Sequence, residues 1–320
     1  MGECITRPFF YAYYMQIKLR QILLVIGFGL ALLHAYFPLS TNQQLVVLFV
    51  TLFTLGIPHG ALDFYIDQKI NIGADKNHKF VFLFKYLLNM LAYGLVWYFL
   101  PTIAILIFIG LTAFHFGEID WLGKSYNGIH KLCYSVLGLS WILFLLSKNI
   151  HTAIDVFVLL GQSKMQANEY IHYANIALPI SQATLVGIHI ILFFAHKYFF
   201  SDTKQLFFAV MQIGCLTILN MLLPLWLCFS FYFGLWHSIL SFDKIRQEFE
   251  MENSFLGWKK LLTKAIPYAV VAWTGIIVFI YFSLEAWSIK EVMPLLFIGI
   301  AVLALPHLQV FTKIKLDKSK

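Results

Sequence analysis

The sequence predicts an all-α protein, a polytopic transmembrane bundle of about eight to ten helical spans with both termini cytoplasmic. Three observations carry this prediction. Mean hydropathy is +0.76; hydrophobic residues make up 60% of the chain and charged ones only 12%, against roughly 25% charged in soluble domains. Apolar runs recur along the whole chain at lengths near the ~20 residues a bilayer requires. The intervals between them are linker-sized, so residues 1–320 read as one integral membrane domain with short cytoplasmic tails.

The elements follow in order. Arg7, Lys18 and Arg20 precede a first apolar run at 22–37, and no small-residue cleavage signature follows it, so a retained first helix is expected. Further runs fall at 45–66, 80–99, 101–117, 130–147, 172–196, 205–223, 225–242, 262–284 and 291–312. The first and fourth are short for a full span, which leaves eight or nine spans open beside ten. The longest polar stretches are 67–79, 148–171 and 243–261, and there is no internal repeat. With ten spans and an inside N-terminus, all but three of the 23 Lys and Arg fall on inside segments; the exceptions are Lys148, Lys164 and Lys290. That asymmetry is the positive-inside pattern and implies a multi-pass protein of the inner (cytoplasmic) membrane. It assigns the net charge of +7 to orientation in the bilayer and not to nucleic acid. The four cysteines (Cys4, Cys133, Cys215, Cys228) show no paired spacing, and three lie in apolar runs, so neither a disulfide framework nor a thiolate metal site is indicated.

Chemistry concentrates in Leu55-Gly-Ile-Pro-His-Gly-Ala-Leu-Asp-Phe-Tyr-Ile66. Pro58 removes a backbone donor and kinks the helix, while Gly60 allows a ligand or another backbone to approach. His59 and Asp63 are four residues apart and share one helical face. Ionisable groups at membrane depth are costly and mark function by default; the plain alternative is a histidine that hydrogen-bonds a neighbouring helix.

Three more histidines lie at matching positions. On the ten-span topology His59, His115, His237 and His307 sit on spans two, four, eight and ten, all running from outside to inside. Their first downstream charges are Asp63, Glu118, Asp243 and Lys313. At 1.5 Å per residue, the four imidazoles lie roughly 5–9 Å from similar polar boundaries near the cytoplasmic face. A lone membrane histidine is commonly a structural hydrogen bonder, but four at one depth on four helices are laid out for a metal or proton site inside a bundle. Glu118 lies one turn after His115 and Asp63 one turn after His59, and each is placed to orient its histidine's second nitrogen. Ser241, four residues after His237, is a hydrogen bonder and a poor ligand. Imidazoles suit iron, copper, zinc or nickel, and a set without tight carboxylate ligation leaves open positions for oxygen on non-haem iron.

His196 also lies at the inner end of an even span, but Lys197 follows it, so interfacial snorkelling explains it more simply. His189 would sit deeper on nearly the same face. His34 falls at the outer end of the first helix, and His78, His130, His151 and His172 read as loop or interface residues. Aromatic residues make up 18% of the chain, and runs such as Phe80–Phe84, Phe229–Phe233 and Phe114/Phe116 would serve as walls for a long apolar substrate. Most of these rings are explained more simply as facing lipid or packing helices.

Gly56-Ile-Pro-His-Gly-Ala-Leu-Asp63, Phe114-His-Phe-Gly-Glu118, Trp236-His-Ser238 and Pro306-His307 together resemble the ordered motifs of the Brp/Blh family of membrane beta-carotene 15,15'-dioxygenases. The motif-bearing helices cover about residues 45–312. The resemblance implies Fe(II)-dependent cleavage of the central double bond of beta-carotene, or a related polyene, by O₂ to give two molecules of retinal, with an opsin as a downstream acceptor. It implies iron ligation by the catalytic residues His59, His115 and His237. The family pattern has a second histidine four residues after the one in Trp-His-Ser, and here that position is Ser241. Three outcomes stay open: His307 completes the site, three histidines and water suffice, or the chain has left the family activity. The competing functions are a carotenoid- or retinal-binding relative without catalysis, a membrane-lipid oxygenase, and a transporter using His59/Asp63 and His115/Glu118 as a relay. The clustered HxxxH or HxxHH motifs expected of a two-iron lipid oxygenase are absent.

Overall fold

The computed structural model describes residues 6–73, 77–123, 128–160, 164–200, 202–286 and 289–314. They form ten long helices and no strand: α1 (Thr6–Tyr36), α2 (Thr41–Ile70), α3 (His78–Phe99), α4 (Pro101–Asp120) and α5 (Gly128–Lys148) come first. They are followed by α6 (Lys164–Phe194), α7 (Thr203–Leu222), α8 (Leu225–Glu248), α9 (Phe255–Ala286) and α10 (Ile289–Lys313). Among the described residues, nine of these are long and apolar enough to cross a bilayer, and α10 adds the shorter apolar stretch Phe297–Lys313. Every apolar run of the sequence has a helix. The first and fourth are not short, because Lys18 and Arg20 continue α1, and Glu118 and Asp120 continue α4, within the same helical ladder.

Two details differ from expectation. The polar stretch 148–171 holds a short helix, Ile150–Leu159, with Ala153 buried, before α6 begins. Arg20 is not a loop cation but a buried one: its guanidinium donates to the carbonyls of Ile119 (2.6 Å) and Asp120 (3.5 Å) and to Gln212 Oε1 (2.7 Å). The last carbonyls of a helix have no partner within it, and here a cation from α1 closes the end of α4.

α8 is the central helix. Of its apolar window 72% is buried, against 12–50% in the other spans. The bundle closes on it through small residues, as helix packing in lipid requires. A Cβ at Gly234 would meet the side chain of Thr51 at 2.7 Å or less, so α2 and α8 touch there. Between α4 and α5, a Cβ at Gly117 would overlap the Tyr134 carbonyl, and one at Gly138 would overlap that of Ala113. A large core around α8 includes Leu62, Phe116, Trp141, Tyr232, Trp236 and Phe311. A smaller cluster of Tyr93, Trp97, Ala104, Ile105, Ala301 and Val302 fastens α10 to α3 and α4.

Candidate metal centre

The helices carrying His59 and His237 are both broken next to the histidine. α2 starts from a capping box, with Ser40 accepting from the Gln43 N–H and Gln43 accepting from the Ser40 N–H. It widens to a π-turn at Leu52–Gly56, directly before Pro58. A proline ring crowds the carbonyl four residues back, and a wider turn gives that carbonyl room. The helix resumes at Ile57–Gly60, turns at Ala61 and Leu62, and restarts at Asp63. In α8 the segment Ser230–His237 is π-helical and ends on the histidine itself. Such widened turns recur at functional sites because they re-aim one side chain without ending the helix.

The four histidines that the sequence set at one depth meet in one place. Ring centres are 5.4 Å apart for His59 and His237, 4.8 Å for His237 and His115, 5.2 Å for His115 and His307 and 5.1 Å for His307 and His59. The pairs therefore close a four-membered ring drawn from α2, α8, α4 and α10, with neighbouring planes at 74–86°. All four side chains are at least nine-tenths buried. Phe116 lies 4.4 Å from His237 and Phe311 4.7 Å from His115, ring centre to ring centre. Phe229, Phe233 and His237 stack nearly parallel, at 5.2 and 5.9 Å, as a column of rings along α8. Phe80 and Phe84, in contrast, are exposed on α3.

Polar partners surround the ring. Asp63 Oδ1 takes the Nδ1–H of His307 at 2.8 Å, and its Oδ2 accepts from the Tyr86 hydroxyl at 2.8 Å. The sequence pairs Asp63 with His59 by helical spacing; the structure pairs it with His307 instead. The reason is the turn between them, where the Leu62 N–H bonds to the His59 carbonyl three residues back and the regular four-residue register is lost. Glu118 lies 3.9 Å from His115 Nδ1, too far for a hydrogen bond, and takes Lys244 Nζ at 3.0 Å. Ser241 Oγ is 3.4 Å from His237 Nε2, a long contact. Among the described residues, Gly60 has only His307 Nδ1 within reach of a Cβ, at 4.0 Å, and no other backbone approaches it.

These four imidazoles are the residues that could hold a metal ion here. His59 Nδ1, both nitrogens of His115, His237 Nδ1 and His307 Nε2 are buried without a hydrogen-bond partner among the described residues. Each such loss costs about 1–3 kcal/mol, and a bound cation would remove it for one nitrogen of each ring. An imidazole ligated at about 2.1 Å has its ring centre about 3.2 Å from the ion, so four neighbours lie about 4.5–5.2 Å apart, square or tetrahedral. The observed spacings of 4.8–5.4 Å overlap that range. Among the described residues no group of three or more His, Cys, Asp or Glu side chains has its donor atoms arranged to hold a metal ion as they stand. The ring spacing is set by the helices, and each nitrogen can turn toward the centre about the soft terminal torsion of its histidine.

The remaining histidines lie elsewhere. His189 Nδ1 bonds the Leu185 carbonyl of its own helix at 2.6 Å, and His34 Nδ1 accepts from the Leu39 N–H at 3.1 Å. His78 pairs with Asp67 at 2.7 Å. His130 is buried, not a loop residue, and stacks on Tyr198 at 5.0 Å. The side chain of His196 and the whole of Cys4 lie outside the described residues. Cys133, Cys215 and Cys228 are free thiols. Sequence reasoning missed Tyr86, Lys244 and a buried network of Arg20, Asp120, Gln212, Tyr232 and Trp236. Asp120 carried a usable signal, a carboxylate inside the apolar motif that also holds His115.

Comparison with known proteins adds to this geometry. A family model described as Beta-carotene 15,15'-dioxygenase matches residues 50–315. A protein of that name from Uncultured marine bacterium 66A03 is 25% identical over 258 residues, covering 79% of this chain and 88% of the relative. No solved structure matches.

Proposed function

The chain belongs to the beta-carotene 15,15'-dioxygenase family, and we propose that it cleaves its polyene at an Fe(II) ion held by His59, His115, His237 and His307. The observation that carries this reading is the closed ring of four buried imidazoles with unpartnered nitrogens. Dioxygen chemistry needs a metal that exchanges electrons, which favours iron over redox-silent zinc at such a site. Bound there, iron would supply the activation of O₂.

The chain's own residues do the rest. Asp63 holds the Nδ1–H of His307, which fixes the tautomer and leaves Nε2 as the donor. Tyr86 holds Asp63 in turn. Phe116, Phe242 and Phe311 pack on the imidazoles and keep water away. The column Phe229, Phe233, His237 offers ring faces along which one arm of a rigid polyene can lie. The reaction breaks the central carbon–carbon double bond, and each carbon takes one oxygen atom, so one beta-carotene and one O₂ give two retinal molecules. A multi-pass protein of the inner membrane, with both termini cytoplasmic, meets this substrate in the bilayer. A retinal-binding opsin would consume the product.

The test is expression in bacteria that make beta-carotene, with chromatography of the extracted pigments. Retinal is expected to appear as carotene falls, and His59→Ala to abolish both this and iron content. Intact carotene beside folded, iron-loaded protein would overturn the substrate assignment.

A further inference from the structure

Asp120 is the last residue of α4 and is buried, as is Arg20, which caps the same helix end. Buried charge at membrane depth persists where it does something. Both carboxylate oxygens of Asp120 are taken from the same place: Oδ2 accepts from the Tyr232 hydroxyl at 2.5 Å, and Oδ1 accepts from Trp236 Nε1 at 2.7 Å. Tyr232 and Trp236 both belong to the π-helical segment Ser230–His237, and Trp236 immediately precedes His237. The frame behind the carboxylate is also fixed. Gln212 Nε2 donates to the Asp120 carbonyl at 2.9 Å, Arg20 binds Gln212 Oε1, and the Arg20 guanidinium lies 5.7 Å from the Trp236 ring centre.

We propose that Asp120 is a positioning residue, a two-point clamp that holds the π-helical turn of α8 against α4 so that His237 faces His115. The proposal rests on the metal reading above. α4 supplies His115 five residues before Asp120, so one helix presents a ligand and also fixes the ligand of its neighbour. A π-turn is poorly bonded by itself and needs outside contacts to hold its register. Two convergent hydrogen bonds to a charged acceptor provide them.

The test compares Asp120→Ala with Asp120→Asn in full-length protein in detergent. Both variants lose the charge. Asparagine keeps the clamp, because its oxygen accepts from Trp236 and its amide donates to the Tyr232 oxygen; alanine loses both contacts. Two readouts are used: Co(II) affinity with its visible ligand-field spectrum, and amide hydrogen exchange of the apoprotein over residues 230–241. The clamp predicts that Asp120→Ala weakens Co(II) binding about 10–100-fold, shifts the spectrum and speeds exchange in that segment, while Asp120→Asn stays close to wild type. Equal damage in both variants would make the effect one of charge and overturn the proposal. So would unchanged exchange over 230–241 in Asp120→Ala. If that variant does not fold, Tyr232→Phe removes one contact at nearly constant volume and is expected to speed exchange in the same segment; unchanged exchange overturns the clamp. Wild-type protein that binds no Co(II) would overturn the metal reading, and the apoprotein exchange would still decide the clamp.

Discussion

Replacing Gly117 with alanine tests whether the approach of α4 and α5 sets the geometry of the histidine ring. The new methyl would overlap the Tyr134 carbonyl, which is backbone and has no rotamer to escape into. The two helices must part by on the order of an ångström or more to restore a normal contact. Overpacking of this kind costs about 1–3 kcal/mol of stability. His115 and Glu118 flank the position, so a parting of α4 and α5 displaces both. A misplacement of about 1 Å at a reacting centre costs about 100-fold in rate. Gly110→Ala is the matched control: it lies on the same helix, exposed, with nothing within 4 Å of its Cβ. Alanine is the better helix former, so that change is expected to be neutral or to stabilise by up to about 1 kcal/mol. The assay is thermal unfolding in detergent together with retinal formed per mole of protein. If the Gly117 and Gly110 variants behave alike in both, close packing at Gly117 does not govern the site.

Two further predictions concern the ring itself. Asp63→Ala leaves the Tyr86 hydroxyl and the His307 Nδ1–H without their acceptor, at about 1–3 kcal/mol each. It is expected to weaken Co(II) binding about 10–100-fold in competition with a chromogenic chelator, and wild-type affinity would show that Asp63 does not support His307. Removal of the ion by chelation is expected to destabilise wild-type protein by about 2.7 kcal/mol when the ion had been at 100 times its dissociation constant. His237→Ala should show no such shift, and equal shifts in the two proteins would place the ion elsewhere.

The fold was legible because lipid permits few solutions. Hydropathy located every long helix, since apolar length is the physical requirement for crossing. The convergence of His59, His115, His237 and His307 was legible for a related reason: depth can be counted in residues from the polar boundary. What the sequence did not carry were contacts between helices. The partner of Asp63 is 244 residues away on α10, and helical spacing pointed to His59 because the turn at Ala61 and Leu62 leaves no clear mark in composition. Arg20 read as a topological signal, a basic residue ahead of an apolar run, and is instead the cap of α4. Tyr86 sits among ordinary aromatic residues of α3, and nothing in its neighbours distinguishes it.

The position of Ser241 ties these points together. It stands where the resemblance to the family led to the expectation of a histidine, and its hydroxyl reaches His237 Nε2 only at 3.4 Å. A ring built with that histidine would take two members from α8 and be held by one helix. Here the four imidazoles come from four helices, and the fourth depends on α10. α10 is fastened by the cluster of Tyr93, Trp97, Ala301 and Val302 and by the Asn89 to Gln309 hydrogen bond of 2.8 Å. Ion retention should therefore be coupled to the docking of the last helix against α3, with Asp63 and Tyr86 as the link between α2, α3 and α10. An ion bound at this ring would brace the bundle across its width, and the same arrangement makes the site sensitive to packing far from the imidazoles.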